Sequence, residues 1–423
     1  MPPDITTGSA SGNAKWTVMV FMGAATIEGN VSLLEAAEAD LAEMRFVGSG
    51  PVEKGFGRPG DELNVFVQVH QGGDIVPRRG RITENMVGGI QALDEVQADQ
   101  RDTRRGAALG HFIRTSLESA YHNRLNPEHY SLLVLWGHAY DFAIGRTPTT
   151  DGMIDALDFA ELARVLELLQ LQFGADAKLD ILGFDACDLA TVEMACQLEP
   201  FAKYLLGSQI GVPLPGWPYD RILDRLRRPY GRLMGGSEFG SYIVRRFCES
   251  YGAESGTASL TLLDLNRAEE LTAAADVLAE TLTEAIRDPG VRDQICALFN
   301  MSQTARGKPF VDVADLCLGL MRNSDDAMVI EAACALGNLL ISPRLISPRP
   351  PEVGSSALGY GPPLVVEHGR NTAQTARLNG ISIYAPNVAP ERDFVAVRHL
   401  YNNFVFAQKT HWSNLVHELA RYS

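Results

Sequence analysis

The chain has 423 residues, of which 46% are hydrophobic and 21% charged, and its formal net charge is −15. This acidic balance argues against nucleic acid and anionic membranes as partners and favours basic ones. No apolar run reaches the roughly 18 residues of a membrane span, and the composition is typical of a globular α/β protein.

Two features of the sequence bear on its compartment. Residues 1–14 have neither the charged nor the apolar region of a secretory signal, so they are predicted to form a disordered leader. A cytoplasmic location is therefore favoured, with secretion as the alternative if a signal has been removed. The six cysteines form no CxxC pair, which argues against a zinc site and a dense disulfide framework. Reduced, mostly buried thiols are expected, and no metal ligand is assigned.

Apolar strands and amphipathic helices alternate along the first 265 residues. Continuous apolar runs predict buried strands at 16–23, 63–70, 130–138, 178–184, 203–208 and 259–265. Apolar residues at helical spacing predict helices at 31–46, 107–123, 158–171, 188–198 and 236–251, with a short hairpin or edge strand at 76–86. This alternation indicates a mostly parallel sheet that helices cover on both faces.

The pattern changes beyond residue 265. Residues 267–341 are predicted to be nearly all helix, 342–363 form a Pro/Gly/Ser linker or surface loop, and 393–422 are mostly helical. A late strand is predicted near 380–386. We therefore expect an α/β domain over 15–265 and a helical C-terminal region over 266–423 that packs on it.

Two neighbouring predicted strands end in residues with chemical potential. The third strand ends in Trp-Gly-His138 and the fourth in Asp185-Ala-Cys187. Because parallel strands end at one edge of a sheet, His138 and Cys187 are expected side by side. A nearby imidazole favours the thiolate and can protonate a leaving amine. A helix predicted to begin just after Cys187 adds the positive end of its dipole, worth about 0.3–1 kcal/mol.

The acidic neighbours of Cys187 act against the thiolate. Asp185 and Asp188 would raise the pKa of the thiol if both were ionised and close to it. Asp185 is therefore expected to point away from the sulfur, into a pocket of its own.

The sequence around Cys187 allows other interpretations. His138 could instead be a hydrogen-bonded histidine of the core, and Cys187 a small hydrophobic residue of the core. Cys196 is interpreted as a residue of the core. A phosphatase needs an arginine and a phosphate cradle just after its cysteine, and ACDLATVEMAC has neither. A G-x-S-x-G elbow places glycines around the nucleophile, whereas Ala186 and Asp188 flank Cys187. The position of both residues at neighbouring strand ends favours a cysteine nucleophile.

The Phe-Asp-Ala-Cys form, preceded by Leu-Trp-Gly-His, resembles the clostripain family of cysteine peptidases, which share the caspase-like fold. The resemblance extends over nearly the whole chain. Its segments occur in the expected order: WTVMVFM, LNVFVQV with RRGRI, LLVLWGH, LDILGFDAC, PGWPY, FVDVADL, GISIYAP and YNNFVFAQKTHW. It implies a three-layer α/β/α caspase-like sandwich with a mostly parallel sheet, a catalytic domain over 15–265 and a largely helical C-terminal region.

The resemblance implies an endopeptidase that cleaves after Arg, and secondarily Lys, through an acyl-thioester. Cys187 would be the nucleophile and His138 the general base and acid, with an oxyanion hole from the backbone N–H groups of Cys187 and Ala139. Asp185 would bind the basic side chain of the substrate. Further substrate-binding candidates are Ser208, Gln209, Trp217 and Asp220, the last as the nearest candidate for a second acid.

The resemblance also implies self-cleavage in the long polar loop at 139–153, whose one basic residue is Arg146. The alternative is an ordinary loop arginine in an uncut chain. No cofactor is required for the chemistry; calcium supports some relatives and is retained as a candidate activator without a site.

Expected partners are proteins or peptides with basic residues, and a regulatory partner remains unidentified. Two alternatives stay open: a catalytically silent caspase-like scaffold that binds basic peptides, and an intracellular protease switched on by a ligand.

Overall fold

A computed structural model describes residues 14–25, 33–51, 62–72, 75–84, 86–97, 105–121, 129–140, 143–148, 154–252, 256–302, 304, 309–340, 363–372, 375–385 and 401–421. The predicted leader, apart from Ala14, and the predicted linker, apart from Pro363, lie outside these residues. Within them, every helix is too short or too polar to cross a membrane.

The predicted strands of the first 265 residues are all present. Each is a run of largely apolar residues that is buried in the sheet between two layers of helices. The strands are β1 (Ala14–Gly23), β2 (Gly50–Pro51), β3 (Glu62–His70), β4 (Arg78–Arg81), β5 (Asp94–Glu95), β6 (Tyr130–Gly137), β7 (Ala139–Tyr140), β8 (Ala143–Pro148), β9 (Ile154–Asp158), β10 (Leu179–Asp185), β11 (Ala202–Gly207), β12 (Ser259–Asp264), β13 (Phe310–Asp312), β14 (Val365–Arg370) and β15 (Ser382–Tyr384).

The central sheet has the strand order β14-β12-β11-β10-β6-β1-β3-β4-β5, and β2 pairs with β3. Its middle strands, from β11 to β3, are all parallel to their neighbours. The outer strands β12, β14, β4 and β5 are antiparallel. The carboxyl ends of β6 and β10, which pair directly, therefore lie at the same edge of the sheet.

The helices cover both faces of this sheet. They are α1 (Leu34–Val47), α2 (Arg105–Tyr121), α3 (Phe159–Phe173), α4 (Val192–Leu198), α5 (Tyr219–Arg227), α6 (Gly236–Ser250), α7 (Ala268–Ala285), α8 (Pro289–Met301), α9 (Val313–Asn323), α10 (Ala327–Leu340), α11 (Val405–Lys409) and α12 (Trp412–Ala420). Asp158 caps the start of α3: its side chain accepts the N–H of Glu161 at 2.7 Å.

The two faces have separate cores. On one face α1, α5 and α6 pack against alternate strand residues such as Ile181 and Trp136. On the other, α2, α3 and α4 pack against the intervening residues, such as Leu182 and Phe184. The second core also contains residues of α7, α8, α9, α10 and α12, so the C-terminal helices share it with the sheet. The boundary predicted at residue 265 stays a prediction.

The structure differs from the sequence prediction in four segments. The predicted loop at 139–153 contains β7 and β8, which form a separate antiparallel sheet with β9. The helix predicted from residue 188 begins only at Val192. Within the predicted helical region, β13 pairs with the late strand β15. The edge strand β14 was not predicted, because its side chains are half-exposed and form no apolar run.

Candidate active site

The sheet register sets the relative position of His138 and Cys187. Trp136 of β6 is paired with Asp185 of β10. Each of the two candidate residues lies two positions beyond this pair, so both come just after the carboxyl ends of neighbouring parallel strands, which are about 4.8 Å apart. Both residues are half-buried rather than sealed from solvent. Both residues therefore lie at one edge of the sheet, and their role as a dyad stays a prediction.

The loop after Cys187 is held by the chain that follows β11. The N–H of Asp188 donates to the carbonyl of Ile210 at 3.2 Å, and that of Ala190 to Ser208 at 2.9 Å. Asp188 adopts a left-handed backbone conformation, with φ of 58°. These contacts take residues 188–190 out of the helix, which corrects the expectation that a helix dipole begins directly at the sulfur.

The sulfur has a polar neighbour in the same segment. The backbone N–H of Val212 points to the Cys187 Sγ at 3.3 Å. A donor directed at sulfur favours the thiolate over the thiol. A backbone donor at Val212, in place of the expected helix terminus, therefore supplies part of the stabilisation of the Cys187 thiolate.

The Asp185 carboxyl is buried on the α1 side of the sheet, on the same face as the side chain of Trp136. The side chain is buried, with 4% of the residue exposed. Its Oδ2 accepts the backbone N–H of Trp217 at 3.0 Å and the hydroxyl of Tyr219 at 3.1 Å. Its Oδ1 is buried and has no hydrogen-bond partner among the described residues. One carboxyl oxygen is therefore directed into the interior without a donor.

Burial is the main cause of an elevated pKa at Asp185. The hydrogen bonds from Trp217 and Tyr219 lower this pKa, whereas the charge of Glu43 raises it. The balance is upward, because a carboxylate loses much of its hydration when it is buried. A cation beside Oδ1 would favour the ionised form.

Gly216 is required where the loop crosses Asp185. Its φ is 62°, and a Cβ there would stand 2.8 Å from the Asp185 Oδ2. Its carbonyl accepts the Tyr251 hydroxyl at 2.6 Å. The loop thus approaches the carboxyl closely because this position has no side chain.

The structure changes the interpretation of Ser208 and Gln209. Both residues are buried, with 0% and 1% exposed. The amide of Gln209 donates to Asp312 at 2.9 Å and to Ser382 at 3.0 Å, and its oxygen accepts the N–H of Gly380 at 2.6 Å. With its hydrogen bonds used inside the protein, Gln209 does not line an open pocket; we correct its prediction to a structural link. The Ser208 side chain accepts the N–H of Ile210 at 3.2 Å and is interpreted in the same way.

Other predicted residues are placed as follows. Trp217 is fully buried, and a Cβ on Gly183 would stand 2.6 Å from its ring, so the indole packs directly on β10. Asp220 is half-buried beside Glu43, whose pKa its charge raises. Ala139, the oxyanion candidate, begins β7. Arg146 lies in β8, where the register with β9 shifts between Ile144 and Thr147.

Two acidic residues of α1 were not predicted as part of this region. Asp40 is buried, with 2% exposed, and accepts the Trp136 indole N–H at 2.7 Å. Glu43 accepts the N–H of Tyr219 at 2.8 Å. The sequence did hold a signal: Asp40 falls on the apolar face of α1, three residues after Ala37 and four before Met44. A carboxyl on that face requires a polar partner in the core.

A metal site is not assigned. In the described ranges, no group of three or more His, Cys, Asp or Glu side chains is placed to hold a metal ion. No disulfide joins any of the six cysteines, all of which lie in those ranges.

Comparison with known proteins identifies relatives of this arrangement. The profile of the clostripain family matches residues 27–340. The clostripain of Hathewaya histolytica is 29% identical, with 33% of this chain and 33% of that protein covered. The match thus spans about a third of the curated relative's length.

Solved structures match over nearly the whole chain. A secreted C11 cysteine protease of Bacteroides thetaiotaomicron, named iotapain, has a TM-score of 0.58 at 15% identity, covering 94% of this chain and 99% of that one. A secreted C11 protease of the same organism, in complex with an irreversible peptide inhibitor, has a TM-score of 0.53 at 16% identity, covering 92% and 99%. These likenesses confirm the predicted three-layer, caspase-like fold class.

Proposed function

The chain belongs to the clostripain family of cysteine peptidases, and on that premise we propose that it is an endopeptidase that cleaves after arginine through a Cys187–His138 dyad. The observation that carries the proposal is the sheet register. It supports the proposal because His138 and Cys187 each lie two positions beyond the paired residues Trp136 and Asp185, and both are half-buried.

In the proposed reaction His138 takes the thiol proton, and the Cys187 thiolate attacks the scissile carbonyl. The Val212 N–H, 3.3 Å from the sulfur, supports the thiolate before attack. The backbone N–H groups of Cys187 and Ala139 would stabilise the oxyanion, and loss of one such donor typically lowers kcat about 10²–10³-fold. The protonated imidazole then gives its proton to the leaving amine, and water hydrolyses the acyl-thioester.

The preference for arginine rests on Asp185. Its Oδ1 is buried without a donor among the described residues, and a guanidinium would supply both charge and hydrogen bonds. Lysine would supply one compact charge without the planar set of donors. We therefore propose arginine as the preferred residue and lysine as the second.

A fluorogenic peptide series tests both parts of the proposal. We expect the wild-type protein to cleave arginyl peptides under reducing conditions, and Cys187→Ala to lower kcat by on the order of 10⁶-fold. Asp185→Asn should lower kcat/KM for arginyl peptides about 30-fold or more, which corresponds to about 2 kcal/mol. Binding of the arginyl peptide without turnover, with or without calcium, would instead identify a scaffold. An unchanged arginine preference in Asp185→Asn would remove the pocket assignment while leaving the dyad.

Several expectations from the sequence stay proposals. Protein or peptide substrates follow from the family, whereas the peptide assays test the preference for basic residues and the effect of calcium. A regulatory partner stays a prediction. The cytoplasmic location is not supported by the comparisons, since the two Bacteroides thetaiotaomicron proteases reported above are described as secreted.

A further inference from the structure

Two buried carboxyl groups meet beneath the loop that covers the proposed arginine pocket. Asp40 of α1 and Asp185 of β10 are 2% and 4% exposed. The Trp136 indole connects them: Trp136 is the register partner of Asp185, and its N–H donates to the Asp40 Oδ2 at 2.7 Å. Both carboxyls therefore lie on the same face of the sheet, close enough for the charge of Asp185 to raise the pKa of Asp40.

The hydrogen bonds around the pair leave one oxygen directed into this space. Trp217 and Tyr219 both donate to the Asp185 Oδ2. The Asp185 Oδ1 is buried with no hydrogen-bond partner in the described part of the chain. An unpartnered buried carboxyl oxygen indicates a place for a donor that is absent when the pocket is empty.

Among the described residues, the groups that face the pair do not neutralise two negative charges. From α1 there is a further acid, Glu43, which accepts the Tyr219 N–H. From α5 and the end of α6 come two tyrosines whose pKa values are raised, so both hydroxyls stay neutral. Asp220 and Arg221 of α5 face Glu43, and their opposite charges act on it in opposite directions. Two adjacent buried carboxylates are unfavourable without a cation, so the pair must retain a proton.

Resting on the proposed arginine specificity, we propose that Asp40 is the second acid of this pocket, and that Asp40 and Asp185 share a proton which they release when a guanidinium binds at the Asp185 Oδ1. The guanidinium remains protonated throughout. One carboxyl O–H bond breaks, its proton passes to the buffer, and the resulting carboxylate charge is balanced by the bound cation.

The electrostatics of the pair agree with this assignment. Burial, followed by the charges of Asp185 and Glu43, raises the pKa of Asp40, and the Trp136 hydrogen bond only partly opposes the rise. Burial likewise raises the pKa of Asp185. A raised carboxyl pKa means that the empty pocket holds its protons to a higher pH than an exposed acid would.

The proposal predicts that arginine binding is linked to pH. Release of one proton makes the dissociation constant of an arginyl peptide fall about tenfold per pH unit, over the range in which the pair is protonated in the empty pocket. A citrulline peptide has the same shape without the charge, so it should neither bind tightly nor release a proton.

Calorimetry on the full chain tests the proposal. Acetylated Ala-Ala-Arg amide is titrated into Cys187→Ala at pH 6.5, in buffers of different ionisation enthalpy, so that the number of protons released is measured directly. We expect a release approaching one proton in Cys187→Ala, and a clearly smaller release with weaker pH dependence in Cys187→Ala/Asp40→Asn. The matched control is Cys187→Ala/Glu35→Gln, which removes an exposed carboxyl of the same helix and should release as many protons as Cys187→Ala.

Each outcome decides a separate question. Tight arginine binding without proton release, or an equal release with and without Asp40, would overturn the shared proton while leaving the arginine pocket. No binding of the arginyl peptide would overturn the pocket itself, and the pair with it. If Asp40→Asn fails to fold, infrared spectroscopy of Cys187→Ala tests the shared proton instead. The carbonyl band of a protonated carboxyl should disappear when the peptide binds.

Discussion

At the scale of single residues, the candidate site depends on two left-handed backbone positions. Asp188 has a φ of 58° and turns the chain directly after the nucleophile, and Gly216 has a φ of 62° where the loop crosses Asp185. An L-residue in this region costs roughly 1–2 kcal/mol. Asp tolerates it better than most residues, whereas at position 216 the approach to Asp185 leaves room only for glycine.

We predict that Gly216→Ala weakens arginine recognition. The new Cβ would stand 2.8 Å from the Asp185 Oδ2, so the loop or the carboxyl must move. We expect KM for arginyl peptides to rise at least about tenfold and the free energy of unfolding to fall by about 1–2 kcal/mol. Gly174→Ala is the matched control, since it also has a positive φ but no atom within 4 Å. It should lose stability with unchanged KM; equal KM effects in both variants would contradict the prediction.

A buried carboxyl on α4 makes stability depend on pH. Glu193 accepts the N–H of Tyr384 at 3.0 Å and the hydroxyl of Tyr401 at 3.1 Å, and burial raises its pKa to about 7. The folded protein therefore retains a proton that the unfolded chain loses above pH 4.5. Stability should fall by about 3 kcal/mol as pH rises from about 4.5 to 7.

Glu193→Gln tests this link, because glutamine cannot ionise. Denaturant unfolding at several pH values should show a flatter profile across the same window, and a variant more stable than wild type at pH 8. The exposed Glu269→Gln serves as control and should keep the wild-type profile. A parallel profile for wild type and Glu193→Gln would refute the assignment.

At the scale of elements, the segment after β11 joins the nucleophile loop to the C-terminal region. Its backbone carbonyls accept from Asp188 and Ala190, while Gln209 connects it to the end of β13 and to the segment that leads into β15. Ser382 also donates its N–H to the carbonyl of Ala190 at 2.9 Å. The loop that carries the nucleophile is therefore supported from elements far away in sequence.

Gln209→Ala should impair both stability and catalysis. The change removes three buried hydrogen bonds, each worth about 1–3 kcal/mol when its partner is left unsatisfied. We expect a loss of at least about 3 kcal/mol in the free energy of unfolding, together with a lower kcat at nearly constant KM. Gln170→Ala removes a bridging amide remote from the site and should leave kcat unchanged. A wild-type kcat in Gln209→Ala would show that the link is structural only.

Self-cleavage is a prediction about the small sheet of β7, β8 and β9. The shift in register between Ile144 and Thr147 leaves Gly145 and Arg146 outside the ladder of strand pairs. A protease binds its substrate as an extended segment, so this interruption is compatible with cleavage after Arg146. Intact mass should show two fragments in the wild type and one chain in both Cys187→Ala and Arg146→Gln. Fragments of the same mass in Cys187→Ala would assign the cut to another protease.

At the scale of the whole molecule, the C-terminal helices complete a core rather than cover a finished domain. Leu182 and Phe184 of β10 share one hydrophobic core with residues of α7, α9, α10 and α12. The edge strand β14 extends the same sheet from beyond residue 363, next to β12. The C-terminal region thus supplies both a layer and a strand.

We predict that a chain ending at residue 265 does not fold. Loss of the C-terminal helices would expose the apolar face of α4 and part of the sheet. The free energy of exposing this apolar surface is far larger than the usual net stability of a domain. Circular dichroism and a denaturant titration of the shortened chain should show no cooperative transition. A cooperative transition with arginyl peptidase activity would contradict this and would favour an inhibitory role for residues 267–423.

The sequence by itself determined the central strands along the chain and the sheet edge at which His138 and Cys187 lie. The apolar runs of the central strands are short and continuous, which predicts buried strands at β1, β3, β6 and β10. His138 comes just after β6, and Cys187 comes just after β10. The family motifs around these strands predicted the fold class, because each motif is a short continuous segment of the sequence.

Only the tertiary structure decided which polar side chains meet. Asp40 lies far from Asp185 in sequence, and α1 brings the two together through the Trp136 indole. The start of α4 at Val192, the internal partners of Gln209 and the pairing of β14 with β12 likewise depend on contacts between distant segments. Local patterns report how a segment buries its own apolar side chains, whereas a buried polar group is stabilised by whichever partner the fold places beside it.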